Sequence, residues 1–199
     1  MAYSKFTFSE LENKFGIQQS FRNLFDTSQI VPVEPSAYLI ETLERQRYIP
    51  TKTEKARNEF IIAPILAEIK LRNKETIQLF SGEEMMADRK LKLNGEVDFA
   101  FVHHPHAAEM RDPIFSVTEA KKGAIEDGWA QNAAQLYGAR VFNQNHNNPV
   151  LDVYGAVSNG FDWQFLFLEG NTIYIDEKVF SITNLPLLLG ILQSIVNKY

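Results

Sequence analysis

The spacing of apolar residues changes period several times along the chain, and each change predicts an element. Phe8, Leu11 and Phe15 recur at helical spacing, with Ser9 and Glu12 at the separation of a capping box. Pro32 and Pro35 interrupt the chain. Ser36 then stands as the N-cap of a second helix running to about Arg47, with Leu39, Leu43 and Tyr48 apolar. A third helix is expected from Thr51 or Thr53 to about Lys70. Pro64 falls inside its apolar pattern and should kink it or split it in two, because proline lacks the N–H and crowds the preceding turn.

From residue 76 the period shortens. Thr76 to Ser81 reads as a strand ending in a Ser81-Gly82 turn, and a charged patch from Glu83 to Lys92 leads to the next strand. Along Leu93 to Val102, strict alternation places Val97, Phe99 and Phe101 on one face and Glu96, Asp98 and Ala100 on the other. A strand from Ile114 carries Glu119 and Lys121 on one side near its end. Glu126 to Asn145 is helical, with Trp129, Ala133, Leu136 and Arg140 in one stripe and Gly128, Gln131, Gln135 and Phe142 in another. Strands follow at Val150 to Ser158, Trp163 to Leu168 and Thr172 to Ile175, separated by Asn159-Gly160 and Gly170-Asn171 turns. A closing helix is expected from about Asn184. The pattern is that of an α/β domain over residues 51–199 with an N-terminal helical extension over 1–50, the two forming one compact unit.

Composition narrows the picture. At 199 residues with 45% apolar content the chain can bury a substantial core. It has no cysteine, which removes disulfides and thiolate zinc sites. No apolar secretory region is evident at the start and no apolar run is long enough for a bilayer, so a cytoplasmic protein with no membrane partner is expected. The net charge of −5 disfavours tight nucleic-acid binding, yet residues 51–92 carry nine basic and seven acidic side chains, so the acidity lies elsewhere. His103, His104 and His106 are expected in an exposed loop rather than in a metal site, since no other soft ligand accompanies them.

The candidate chemistry lies between Leu93 and Gln135. Asp98 sits in the middle of an apolar strand, where an ionised carboxylate is costly unless it is compensated. Three Glu-x-Lys triplets occur, but Glu12-Asn-Lys14 and Glu68-Ile-Lys70 fall on predicted helices, where such positions diverge. Only Glu119-Ala120-Lys121 lies on a strand, and it follows Asp98 by 21 positions. Two carboxylates and a backbone carbonyl, here that of Ala120, are the oxygen donors expected for Mg²⁺ or Mn²⁺. Bound metal acidifies water and neutralises phosphoryl charge. Lys121 would orient that water, and Gln131 and Gln135, one turn apart, would hydrogen-bond the water or the substrate backbone.

Glu59, Asp98 after Gly95-Glu-Val, Glu119-Ala120-Lys121 and the Gln131/Gln135 helix together resemble the PD-(D/E)XK nuclease superfamily, with Val97 where proline gives the family part of its name. The resemblance covers residues 53–175. It implies a restriction-endonuclease-like core, a mixed central sheet flanked by helices in the order αβββαβ, and a metal-dependent deoxyribonuclease. On this reading Asp98, Glu119, Ala120 and Glu59 are the metal donors, Glu59 completing a second metal site or holding a ligand from behind. RNA stays open as a substrate. Competing readings are a nuclease fold without chemistry that binds nucleic acid or protein, a salt bridge at a sheet end, and an assembly domain forming a homo-oligomer.

Overall fold

The computed structural model describes residues 3–110, 113–148 and 150–199. Among them, one mixed sheet is built from β1 (Gln18–Arg22), β2 (Gln78–Asp88), β3 (Leu93–Val102), β4 (Ile114–Ala120), β5 (Val153–Ser158), β6 (Asp162–Glu169), β7 (Thr172–Asp176) and β8 (Phe180–Ser181). The strand order is β1-β7-β6-β5-β4-β3-β2, with β8 beside β6. The β1–β7 and β4–β5 pairs are parallel and the others antiparallel. A parallel β4–β5 pair requires a crossover, supplied by helix α5 (Trp129–Asn145).

Helices cover both faces. Leu11 of α1 (Phe8–Phe15) and Ala133, Leu136 and Ala139 of α5 share one core with Val117, Val157 and Leu166 of the sheet. On the opposite face, Leu39 of α2 (Ala37–Gln46), Ile65 and Leu66 of α4 (Ala63–Arg72) and Leu188 of α6 (Leu185–Val196) meet Phe99, Phe115 and Phe165. No helix among the described residues is long and apolar enough to cross a membrane.

The first 50 residues are not purely helical. Gln18–Arg22 adds a parallel edge strand to β7, and Tyr3, Phe6, Leu11 and Ile17 are buried in the core. Alternation cannot reveal β1, because its Gln-Gln-Ser-Phe-Arg sequence is largely exposed at the sheet edge. The cap of helix α1 is Thr7, two residues before the Ser9 expected from spacing. Thr7 Oγ1 accepts from Glu10 N at 3.2 Å, and Thr7 N donates to Glu10 Oε2 at 3.1 Å. Phe6 before that cap and Leu11 after it both reach the core, the placement of a hydrophobic staple that fixes the entry of the chain. Ser36 caps α2 as expected, its Oγ accepting from Leu39 N at 3.1 Å. The same hydroxyl donates to Glu68 Oε2 at 2.7 Å, and Arg72 Nη2 donates to Glu68 Oε1 at 2.8 Å. Burial alone would raise the Glu68 carboxyl, but these bonds from Ser36 and Arg72 bring it below its ordinary value.

Pro64 splits the third helix. A short α3 (Glu54–Arg57), capped by Thr53, passes into a π-helical turn over Asn58–Ile62 and then into α4, where Pro64 occupies the first turn. The i→i+5 bond from Ala63 N to Asn58 O widens the helix just ahead of a residue with no N–H to give.

The strand β2 is longer than its sequence suggests. It passes through Gly82 to Asp88 rather than turning at Ser81-Gly82, and the charged patch pairs with β3. Gly82 has φ 69°, a left-handed value at which only glycine is unstrained. Beyond this kink the β2–β3 hairpin swings over α5, where Met85 O accepts from the Tyr3 hydroxyl at 3.3 Å and Ala87 O from Asn145 Nδ2 at 3.0 Å. Val97 therefore joins the α5-side core, away from Phe99 and Phe101 on the other face. Asp98 is the residue at which β3 changes sides.

Tyr3 also explains a glycine inside α5. A Cβ on Gly138 would lie 2.4 Å from the Tyr3 hydroxyl oxygen, so Gly138→Ala must expel the ring or push the N-terminal segment away. Overpacking of this kind costs about 1–3 kcal/mol. A lower urea midpoint in Gly138→Ala, with the Tyr3→Ala/Gly138→Ala double variant losing no more than Tyr3→Ala alone, is the expected result.

Candidate functional site

The site forms where β3 and β4 part. Their ladder pairs Phe99 with Thr118, and one step further the Asp98 carboxylate takes the place of a strand partner, its Oδ2 accepting from Ala120 N at 2.7 Å. On the other side, Lys121 N donates to Ser158 O of β5 at 2.8 Å, so the end of β4 is held between a carboxylate and a strand. Glu119 and Lys121 project toward α5, as period two requires.

Four side chains then close a chain of hydrogen bonds. Lys121 Nζ donates to Glu119 Oε1 at 2.6 Å and to Gln131 Oε1 at 3.1 Å. Gln135 Nε2 donates to Glu119 Oε2 at 2.6 Å. The Gln135 amide has a fixed sense because its Oε1 accepts from Asn132 Nδ2 at 3.2 Å, and Asn132 Nδ2 also donates to Val117 O at 3.1 Å. The two glutamines do face one way, and that way is the carboxylate–amine pair rather than solvent. Glu119 is 3% exposed, whereas the Lys121 side chain keeps 16%.

Burial pushes the Glu119 carboxyl up to about 7, and the nearby Asp98 charge adds to the rise against the pull of Lys121 and Gln135. Asp98 is raised as well, by burial first, with Glu54 and Glu96 adding to it and the Ala120 N–H and Lys121 opposing. Two neighbouring carboxyl groups are thus held above their ordinary range by the same low-dielectric pocket. Such a pair gains from any further positive charge.

Glu59 lies outside this group. It is exposed and pairs with Lys55 at 3.7 Å on the solvent side of the helix. The helix instead presents Asn58, whose Nδ2 donates to Asp98 Oδ1 at 3.3 Å and whose buried Oδ1 has no hydrogen-bond partner. A signal for this was available in the sequence, since stepping back four residues from the apolar positions at Ile62 and Leu66 reaches Asn58, not Glu59. Arg57, also unremarked in the sequence, ties the helix to the site's rim, Nη1 donating to Lys122 O at 2.7 Å and to Asn159 O at 3.2 Å. His103, His104 and His106 are exposed in the β3–β4 loop and take no part.

Among the described residues, no three acidic, histidine or cysteine side chains converge on one point. The acidic donors are the Asp98–Glu119 pair, Lys121 Nζ is the cation against Glu119, and the amides of Asn58, Gln131 and Gln135 around them are neutral. This set fits Mg²⁺ or Mn²⁺, which bind through one or two carboxylates and complete their shells with water and substrate oxygens. The unpartnered Asn58 oxygen beside Asp98 is a further hard donor of the right kind. A cleft of about 550 Å³ lined by Leu43, Ile49, Ile61, Phe161 and Leu185 includes none of these residues.

Comparison of the chain with protein-family models, with curated proteins and with solved structures gives no match in any of the three.

Proposed function

We propose that the chain is a metal-dependent phosphodiesterase of the PD-(D/E)XK nuclease kind, acting on DNA. The observation that carries this reading is the convergence of Asp98, Glu119 and Lys121, with Gln131 and Gln135 behind them, at the point where β3 and β4 part. The succession of the Glu54–Arg72 helix, β2, β3, β4, α5 and β5 supports a restriction-endonuclease-like αβββαβ core. A structural salt bridge needs one carboxylate for one ammonium, whereas a buried Glu119 and a half-buried Asp98 lie near the single Lys121, an arrangement that costs free energy unless further positive charge joins it.

Asp98, Glu119 and the backbone oxygen of Ala120 would hold Mg²⁺ or Mn²⁺, with Asn58 next to Asp98; Glu59 is not in reach of that role. When bound, the ion neutralises charge on the phosphoryl oxygens and makes a coordinated water more acidic. The residues of the chain then have separable tasks. Asp98 is oriented by two donors, Ala120 N and Asn58 Nδ2, which leaves its carboxylate fixed before any ligand arrives. Lys121 holds a proton between Glu119 and Gln131, and that ammonium is the cation available to a phosphate oxygen or to an attacking water. Gln135 keeps Glu119 from rotating, and the stem of Lys121 together with α5 limits the entry of bulk water.

The test is calorimetric titration of Mn²⁺ into the wild type and Asp98→Asn, with plasmid and single-strand cleavage assayed on the same samples. Asp98→Asn is expected to weaken metal binding by roughly tenfold or more, as loss of a coordinating or orienting carboxylate does, and to remove cleavage. Equal Mn²⁺ affinity in the two proteins would reject the metal site, and metal binding without cleavage of any nucleic acid would favour the non-catalytic binding fold.

A further inference from the structure

At the start of α5 stands a glycine that the backbone does not need. Gly128 has φ −94° and ψ −13°, right-handed values open to every residue. In that conformation glycine is disfavoured relative to alanine, because it gives up more backbone freedom on folding. Local energetics therefore favour another residue there. The reason for glycine is space: a Cβ at this position would lie 2.5 Å from Val157 Cγ1, 3.1 Å from Lys121 Cγ and 3.2 Å from Lys121 Cε.

The contacts with Lys121 are on the aliphatic stem, not on the amine. The Lys121 chain passes over the bare Cα of Gly128 before its Nζ reaches Glu119 Oε1 at 2.6 Å and Gln131 Oε1 at 3.1 Å. A lysine has four rotatable bonds, and hydrogen bonds to its Nζ alone would leave the stem free to take other routes. The floor made by Gly128, with Val157 beside it, closes those routes on one side. We propose that Gly128 is a positioning residue for Lys121, the absence of a side chain at 128 being what lets the lysine stem lie down and aim its ammonium at Glu119 and Gln131. This rests on the nuclease reading only for its catalytic consequence; the steric relation of Gly128 to Lys121 stands apart from it.

A Gly128→Ala change alone would meet Val157 first and could unfold the helix start. The experiment therefore compares Val157→Ala with the Val157→Ala/Gly128→Ala double variant, in which the Lys121 stem is the remaining close neighbour of the new methyl group. Two readouts are taken. The first is the rate of acetylation of Lys121 by acetic anhydride, followed by mass spectrometry without metal or nucleic acid, with exposed Lys14 and Lys122 as internal references. The second is kcat and KM for DNA cleavage with Mn²⁺.

The expected result is a Lys121 rate at least about fivefold faster in the double variant, with Lys14 and Lys122 unchanged, and a kcat at least about tenfold lower at similar KM. An unchanged Lys121 rate in a folded double variant overturns the proposal, and so does a faster Lys121 rate with kcat intact. Absence of cleavage in the wild type and in Val157→Ala alike would reject the nuclease reading, and the acetylation rates would then decide the role of Gly128 alone.

Discussion

Lys121→Met is expected to lower kcat for DNA cleavage by about 10²–10⁴-fold, the range typical of a positioned proton-transfer or charge-stabilising group, while Mn²⁺ binding persists. Methionine is chosen because its stem can lie over Gly128 much as the lysine's does, so the floor of the site stays filled. What disappears is the ammonium between Glu119 Oε1 and Gln131 Oε1. In the metal-free protein this leaves Glu119 without its cation in a pocket that already disfavours its charge, so Glu119 takes up a proton more readily. With Mn²⁺ present the carboxylate regains a positive neighbour, and the loss in rate then reports the amine itself. Wild-type turnover in a folded Lys121→Met would reject Lys121 as the catalytic amine and return the Lys121–Glu119 contact to a salt bridge.

The parts of this fold that were legible in the sequence are those in which one face is buried and the other is not. Alternation from Leu93 to Val102 gives β3 its observed bounds, and Ser36 reads as the cap it is. Glu119 and Lys121 meet because period two on a strand puts them on one side, and Gln131 and Gln135 meet them because one helical turn separates them. What escaped is what depends on surroundings. The polar residues of β1 carry no alternation because that strand lies at an exposed edge, and Gly82 looks like a turn although its left-handed φ only bends a continuing strand. The same bend moves Val97 off the face it should share with Phe99 and Phe101. At the third helix, Glu59 has the chemistry of a metal donor, whereas the fold places Asn58 against Asp98 and leaves Glu59 in solvent. The site consequently has one fewer carboxylate and one more neutral oxygen than a reading by residue type supplies.

Two carboxyl groups facing one ammonium have a pH consequence. Glu119 is raised by burial and by Asp98 from an ordinary value of 4.5 to about 7 in the folded chain. A carboxyl group whose folded value lies above its unfolded value binds its proton more tightly in the native state. Its contribution to stability is therefore complete below about pH 4.5 and is lost as the pH rises through about 7. The size of the loss is on the order of 3 kcal/mol for a shift of this extent. Asp98, raised in the same direction by burial, adds to the trend. Glu119→Gln keeps the shape and the bond to Lys121 Nζ through its amide oxygen, gives up the bond from Gln135 Nε2 because its own amide nitrogen is a donor, and cannot ionise. The urea-unfolding free energy of the metal-free wild type should accordingly fall between about pH 4.5 and 7.5 relative to Glu119→Gln, the difference between the two curves staying constant below about pH 4.5. A divalent cation should reverse the slope for the wild type alone, because it binds the ionised pair and must displace protons to do so. Parallel curves for the two proteins across this range, with and without Mg²⁺, would mean that Glu119 stays ionised and satisfied by Lys121 throughout, and that the pair has no call on a metal.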